Sequence, residues 1–390
     1  MGWPLTRQIG PVINPKDCQQ SPQSPAWVRK NVPHKGHAGG TKAFSPQRKP
    51  VINEVASEVL TVDIKAALKS ARDKIVFVFF VTSVILHAMT ETVPIIFDRQ
   101  RLAANRRRAA AGYAQHDFLQ RHIAKDLAER LSLQTRDFGK ALILGSSGGI
   151  MRQALAAENL IGDGKIGFVA EADITAAMLA RDAAAGLVLD EENLPLAEAS
   201  LDLVVSLWGL HHVNDLPGTL VQIKRALKPN GLLLAALPGN ETLRDLRQAF
   251  LQAEAEMSGG AGAHIHPFAD LRDLGGLLQR AGFALPVADS DIVPVRYGSP
   301  FSLLADLRGM GDSNILTQRQ RQPMRRDVLM KAMQIFADTT AQDGKSVAQF
   351  EICYLAGWAP HESQQKPLRP GSAKTRLADA LGTQETKLKN

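Results

Sequence analysis

The stretch Lys140–Asp173 constrains this chain more than any other. Ala141–Leu144 is an apolar strand, Gly145–Gly149 a glycine-rich turn and Ile150–Asn159 a helix. Lys165–Ala170 is a second strand, which leads to Asp173, 28 positions after Gly145. A strand–turn–helix–strand unit of this kind suits a nucleotide. Glycines let the ligand approach the backbone, the helix N-terminus offers free N–H groups, and a carboxylate past the second strand accepts two ribose hydroxyls. The competing role at this point is a helix N-cap, supplied by Asp173 or by Thr175.

The alternation continues along the chain. Leu187–Leu189, Ser200–Leu207 and Leu232–Leu237 are further strands, and Leu220–Leu227 is a helix. Lys228-Pro229-Asn230-Gly231 is a turn in which Gly231 is expected to supply a positive φ. Strands alternating with helices predict an α/β protein built on a parallel, doubly wound sheet. Ligands of such sheets bind at the C-terminal strand edge, where Trp208–Asn214 follows the fourth strand. His211 and His212 stand there. Adjacent histidines rarely share a metal ion, and no His-x-Asp or His-Glu-x-x-His spacing accompanies them. Packing near a substrate mouth is therefore predicted, and no metal site.

Net charge is +7, which taken alone suggests a polyanionic partner. Its distribution removes that reading. Residues 1–88 hold 12 Lys+Arg and 5 Asp+Glu, whereas residues 89–390 hold 34 of each. The body carries no basic footprint for nucleic acid. Cys18 and Cys353 are the only cysteines. They exclude a disulfide framework or a cysteine zinc site and predict a reducing compartment.

Met1–Val51 is rich in Pro, Gln, Lys and Gly, lacks apolar periodicity and is predicted to be disordered. Val55–Ala71 has a helical pattern. Ile75–Leu86 is an apolar run of 12 residues. As a helix it would extend roughly 18 Å, short of the about 30 Å of a bilayer core. It also lies too far along the chain for a signal peptide. No firm membrane span is predicted. Residues 1–88 are expected to be an extension ahead of a body whose natural start is Met89, with a genuine N-terminal tether as the alternative.

Residues 89–139 are expected to be entry helices, with Leu102, Tyr113, Phe118, Leu119, Ile123, Leu127 and Leu131 buried. Arg106–Arg108 is either a solvated basic face or a substrate-facing cluster. The sheet domain is expected over 140–295. In it Asn240 caps a helix (Glu241–Met257) that buries Leu243, Leu246, Phe250 and Leu251. Phe268–Ala281 is a helix with Leu271, Leu274, Leu277 and Leu278 inward, stopped by Gly282. A sixth strand covers Phe283–Val295. A helical insertion is expected over 296–345, the last strand (Gln349–Trp358) within 346–362, and a disordered polar tail over 363–390. Cys353, inside that strand, is a core thiol.

Ala141–Gly149 (Ala-Leu-Ile-Leu-Gly-Ser-Ser-Gly-Gly) resembles the first motif of class I S-adenosylmethionine (SAM)-dependent methyltransferases. Gly145 and Gly149 match its outer glycines. Ser147 replaces the middle one beside Gly148, and Ile143 replaces an acidic residue that supports the methionine end of the cofactor. Asp173-Ile-Thr-Ala-Ala-Met-Leu179 resembles the second motif, in which the acid holds the ribose and the following residues open a helix. Asp190-Glu191-Glu192-Asn193-Leu194-Pro195 matches the acidic turn that meets the adenine amine, although a solvated turn is the alternative. Leu227–Leu234 (Leu-Lys-Pro-Asn-Gly-Leu-Leu-Leu) is a frequent feature of the family. The resemblance implies a Rossmann-like, mostly parallel seven-stranded sheet with an antiparallel last strand. It places SAM against Gly145, Ser147, Gly148, Gly149, Asp173, Ile174, Asp190, Glu191 and Leu207, and assigns no catalytic residue.

Further along, Glu241–Arg247, His266–Arg272, Leu278–Asp289 and Asp306–Gly311 resemble the methyltransferase-like assembly factors of respiratory complex I, implicated in hydroxylating an arginine of a complex I subunit. A more distant resemblance is to the malonyl-carrier methyltransferase of biotin synthesis. These imply a protein substrate among complex I subunits, in the cytoplasm of a bacterium or the mitochondrial matrix of a eukaryote. Methyl transfer, to a carrier protein or a small molecule, is the alternative; it needs positioning more than a dedicated side chain, which fits the lack of a triad or acid–base pair. Arginine hydroxylation needs activated oxygen from a metal or flavin, yet neither an iron triad nor a flavin motif is legible. A third expectation is a non-catalytic assembly chaperone with a decayed SAM site, which Ile143 and Ser147 favour.

Overall fold

Apolar residues on both faces of Ala141–Leu144 need cover on both sides, and the chain supplies it. The computed structural model of the protein describes residues 94–162, 164–260, 262–365, 372 and 375–383. The expectations for Met1–Val51, Val55–Ala71, Ile75–Leu86 and a start at Met89 lie outside the described residues. The elements in chain order begin with α1 (Arg99–Ala109), α2 (Phe118–Ser132), β1 (Phe138–Leu144), α3 (Ile150–Ala157), β2 (Ile166–Asp173), β3 (Gly186–Val188) and β4 (Leu201–Leu207). Then follow α4 (Leu216–Ala226), β5 (Leu227–Pro238), α5 (Arg244–Ser258), α6 (Leu271–Arg280) and β6 (Ala284–Tyr297). The last are α7 (Pro300–Gly309), α8 (Arg326–Thr340), β7 (Ala341–Gln342), β8 (Lys345–Trp358) and α9 (Leu377–Leu381).

The strands form one sheet in the order β3-β2-β1-β4-β5-β8-β6, with β7 paired to β8. β1 to β5 pair in parallel, and β8 runs antiparallel to β5, β6 and β7. This is the doubly wound, mostly parallel sheet expected, with eight strands in place of seven. The extra strand is β7. Asp343 (φ 49°) and Gly344 (φ 73°) make a two-residue hairpin loop into β8, as an Asp-Gly pair favours.

Alternate residues of the central strands face opposite sides. Ala141 and Ile143 join the core covered by α2, α3, α5 and α8. Leu142 and Leu144 join the core covered by α4 and α6. In α2, Leu119, Ile123, Leu127 and Leu131 recur every fourth residue, and none is more than 1% exposed. Burial of each such side chain contributes about 1.5–3 kcal/mol. Leu102, Tyr113 and Phe118 are buried as expected.

Several local expectations are corrected. The positive φ after Lys228 falls on Asn230 (φ 63°), not on Gly231, and β5 runs through the turn as a bulged strand. Asn is one of the few other residues that tolerate this conformation. Asn240 does not cap α5. The helix starts after Leu243 (φ 53°), because β8 holds the preceding residues: Glu241 N donates to Glu351 Oε2 at 2.9 Å and Thr242 Oγ1 to Glu351 O at 2.9 Å. Leu251 is exposed on that helix. The second-motif segment forms only a short 3-10 turn, Ala176–Met178, rather than a helix. The polar tail includes α9 among its described residues.

Candidate functional site

The glycine turn has a steric cause. Gly145 has φ 79°, and a Cβ there would lie 2.5 Å from the Leu207 carbonyl oxygen, so no other residue fits. The buried Leu207, at the end of β4, thus backs the turn. Ser147 (φ 48°), Gly148 (φ 76°) and Gly149 (φ 85°) continue in the left-handed region, and Gly149 is the N-cap of α3. Gly148 N donates to Met178 O at 2.8 Å, which ties the turn to the 3-10 segment after Asp173. The cap of that segment is Thr175, whose hydroxyl accepts from Ala177 N, so Asp173 is released for other work.

That work is an ion pair. Arg106 Nη2 stands 2.6 Å from Asp173 Oδ2, and Arg106 Nε stands 3.2 Å from Oδ1. The same Nη2 donates to Ser147 Oγ at 3.1 Å. Both residues are buried, at 6% and 1% exposure. The basic cluster therefore divides: Arg106 turns inward while Arg107 and Arg108 are exposed. Arg99 lies two helical turns earlier on the same face of α1. It donates to Asp190 Oδ1 at 2.7 Å, to the Glu191 carboxylate, and to His212 O at 3.1 Å. Burial raises the pKa of Glu191, and the nearby Arg99 charge opposes that shift.

The fold thus gathers Gly145, Ser147, Gly148, Gly149, Leu207, Asp173, Asp190 and Glu191 near α1, whose Arg106 and Arg99 fill the crevice between them with ion pairs. Ile174 is placed apart, against the small core of Phe97, Leu102, Ile315 and Leu316. Two residues missed in the sequence complete the crevice. Arg99 gave no signal beyond its seven-residue spacing from Arg106. Glu171 is fully buried and pairs across the β1–β2 ladder with Ile143, the position that lacks an acid. Its carboxylate accepts from Ser146 Oγ and Arg152 Nε. An acid inside the apolar run Ile166–Ala172 was the available signal.

Next to the crevice lies a pocket lined by Trp208, His211, Leu243, His266, Phe268 and Asp312, among others. Trp208 directly follows Leu207 and adopts φ 54°, a conformation costly for a bulky side chain. Its Nε1 donates to Asp312 Oδ2 at 2.9 Å. His211 and His212 form the 3-10 turn after β4, with ring centroids 3.7 Å apart. His266 meets His212 edge-on at 5.2 Å, and its Nε2 accepts from Ile315 N at 3.1 Å. Burial pushes the pKa of His266 down to about 4 and holds both other histidines well below the ordinary range, so all three are neutral at pH 7. Burial also pushes Asp312 up to about 6.

A glycine turn at the end of β1, an acid at the end of β2 and an acidic turn after β3, on this sheet order, define a class I SAM-dependent methyltransferase superfamily protein. The family profile described as "Methyltransferase domain" matches residues 142–235. The chain is 36% identical to "Arginine-hydroxylase NDUFAF5, mitochondrial" of Rattus norvegicus over 75% of this chain and 85% of that protein. It is 38% identical to the protein of the same name from Homo sapiens over 66% of this chain and 74% of that protein. It is also 32% identical to "Malonyl-[acyl-carrier protein] O-methyltransferase" of Laribacter hongkongensis over 70% of this chain and 94% of that protein. Within the superfamily the chain belongs to the family of arginine-hydroxylase NDUFAF5. Among the described residues, no helix is long and apolar enough to cross a membrane.

Proposed function

We propose that the protein binds SAM in the crevice beneath α1 and modifies an arginine side chain of a partner protein, a respiratory complex I subunit, in the pocket beside it. One observation carries this reading: Leu207 and Trp208 are consecutive, the first backing the glycine turn and the second lining the pocket. A cofactor on the turn and an acceptor in the pocket would therefore meet across a single backbone step, the proximity that bimolecular chemistry needs.

The residues fit the cofactor. Asp173 offers acceptors to two ribose hydroxyls, Asp190 and Glu191 offer an acceptor to the adenine amine, and the left-handed turn lets the methionine end approach the backbone. Arg106 now occupies both oxygens of Asp173, so SAM enters as α1 gives up that fork. When bound, SAM supplies an electrophilic methyl group. The aromatic walls of Trp208 and Phe268 suit a planar cation such as guanidinium. The name of the NDUFAF5 relatives favours hydroxylation, in which one atom of dioxygen would go to the arginine and the other to water, with two electrons and two protons from an external reductant. The setting is the mitochondrial matrix or, in a bacterium, the cytoplasm.

Two measurements test this. Titration of SAM into the full chain is expected to show micromolar binding that Asp173→Asn abolishes. Mass spectrometry of complex I subunits from cells with and without the protein is expected to show one arginine that gains an oxygen atom only when the protein is present. The similarity to the malonyl-carrier enzyme favours a second reading, methyl transfer to a carrier-bound carboxylate. A methylated carrier with unmodified complex I subunits would select it.

A further inference from the structure

Three buried atoms, two on the pocket-lining residues His211 and Asp312 and one on the adjacent His212, have no hydrogen-bond partner among the described residues: His211 Nδ1, Asp312 Oδ1 and His212 Nε2. Buried polar atoms are almost always paired, so three orphans in one place require an explanation. The three residues are also close together. One ligand-capable atom from each of His211, His212 and Asp312 lies within 4.8 Å of the other two. Two imidazole nitrogens and a carboxylate oxygen at that separation can share one partner, a cation that accepts a lone pair from each. The geometry points to a site for one divalent first-row transition metal ion, held by His211, His212 and Asp312.

The surroundings have the features of such a site. The second oxygen of Asp312 is fixed by Trp208 Nε1 at 2.9 Å, the kind of outer hydrogen bond that orients a ligating carboxylate. His266, the nearest other imidazole, already has its Nε2 bonded to Ile315 N, so it walls the site. The local charge also permits a dication. The two nearby guanidiniums, Arg99 and Arg106, are matched by three carboxylates, Asp173, Asp190 and Glu191. Two histidines and one carboxylate, with the remaining positions open toward a pocket, are the donor set of non-haem ferrous centres. Its use in arginine hydroxylation rests on the function proposed above. The binding of the ion does not.

The test is an anaerobic titration of Co²⁺, a spectroscopic stand-in for ferrous iron, into the chelator-stripped full chain. Visible absorption is read for the wild type, His211→Ala, Asp312→Asn and the exposed-site control His361→Ala. Asp312→Asn keeps an oxygen to accept the Trp208 bond, and circular dichroism confirms that each variant is folded. The expected result is one Co²⁺ per chain in the wild type and the control, weakened about a hundredfold or more by either pocket substitution. No saturable Co²⁺ binding in the wild type, or binding that survives either pocket substitution, overturns the site. SAM titration of the same samples reports on the cofactor crevice separately, so failure of the metal site and failure of the cofactor reading are distinguishable.

Discussion

The ion-paired crevice beneath α1 and the histidine–aspartate cluster beside the mostly apolar pocket are both buried, yet their polar groups are satisfied in opposite ways. In the crevice every carboxylate has a cationic partner from the chain itself: Arg106 takes Asp173, Arg99 takes Asp190 and Glu191, and Arg152 takes Glu171. At the pocket's edge, His211, His212 and Asp312 are each left with an unpaired atom among the described residues. The first arrangement pairs its charges within the chain, and the second leaves polar atoms free for a partner from outside it. A paired buried charge costs stability when its partner is removed, whereas an orphaned polar atom costs stability while it is present.

The largest effect should follow from breaking the paired region. Asp173→Ala leaves Arg106 buried without a counter-charge and is expected to cost about 3–5 kcal/mol in urea unfolding. A double variant with Arg106→Ala is expected to recover a large part of that loss, since the stranded charge is gone. A drop below about 1 kcal/mol in the single variant would show that the pair is not what closes the crevice.

Arg106→Ala alone sharpens the contrast. It leaves Asp173 unpaired and lowers the apo melting temperature, but it also vacates both oxygens for ribose. The SAM-induced rise in melting temperature is therefore expected to exceed that of the wild type. At a hundred-fold excess over Kd, ligand linkage alone contributes about 2.7 kcal/mol. A smaller rise than in the wild type would make Arg106 a contributor to cofactor binding rather than its competitor.

The pocket should respond the other way. His212→Leu replaces an orphaned ring by an apolar side chain and is expected to change metal-free stability by about 1 kcal/mol or less. A loss as large as that of Asp173→Ala would mean the ring is already paired. The smallest effect is expected away from both regions. Cys353 is buried in β8, and burial pushes its thiol up to about 12. Alkylating reagents at pH 8 should leave it unmodified in the folded chain and label it in urea. Labelling at equal rates in both states would contradict a core position.

What was legible in advance follows from how local each signal is. The glycine turn, the strand alternation and the acids at 173, 190 and 191 stand in short segments, and the parallel sheet needs only apolar periodicity to be recognised. Gly231 and Asn240 were misassigned because a neighbouring strand, not the local dipeptide, set the backbone there. Asp343-Gly344 carried a hairpin signal, but the helical pattern before it masked a two-residue strand.

The sequence by itself determined the sheet, its two covering layers and the placing of the glycine turn and its acids at the strand ends, since these depend on residues near one another in the chain. Only the tertiary structure decided which charges are spent. Arg106 reads as part of a solvated cluster until α1 is laid against β2, 67 residues away. His211 and His212 read as packing until the loop after α7 brings Asp312 beside them. Burial and pairing arise from contacts between segments far apart in the chain, and no local pattern records them.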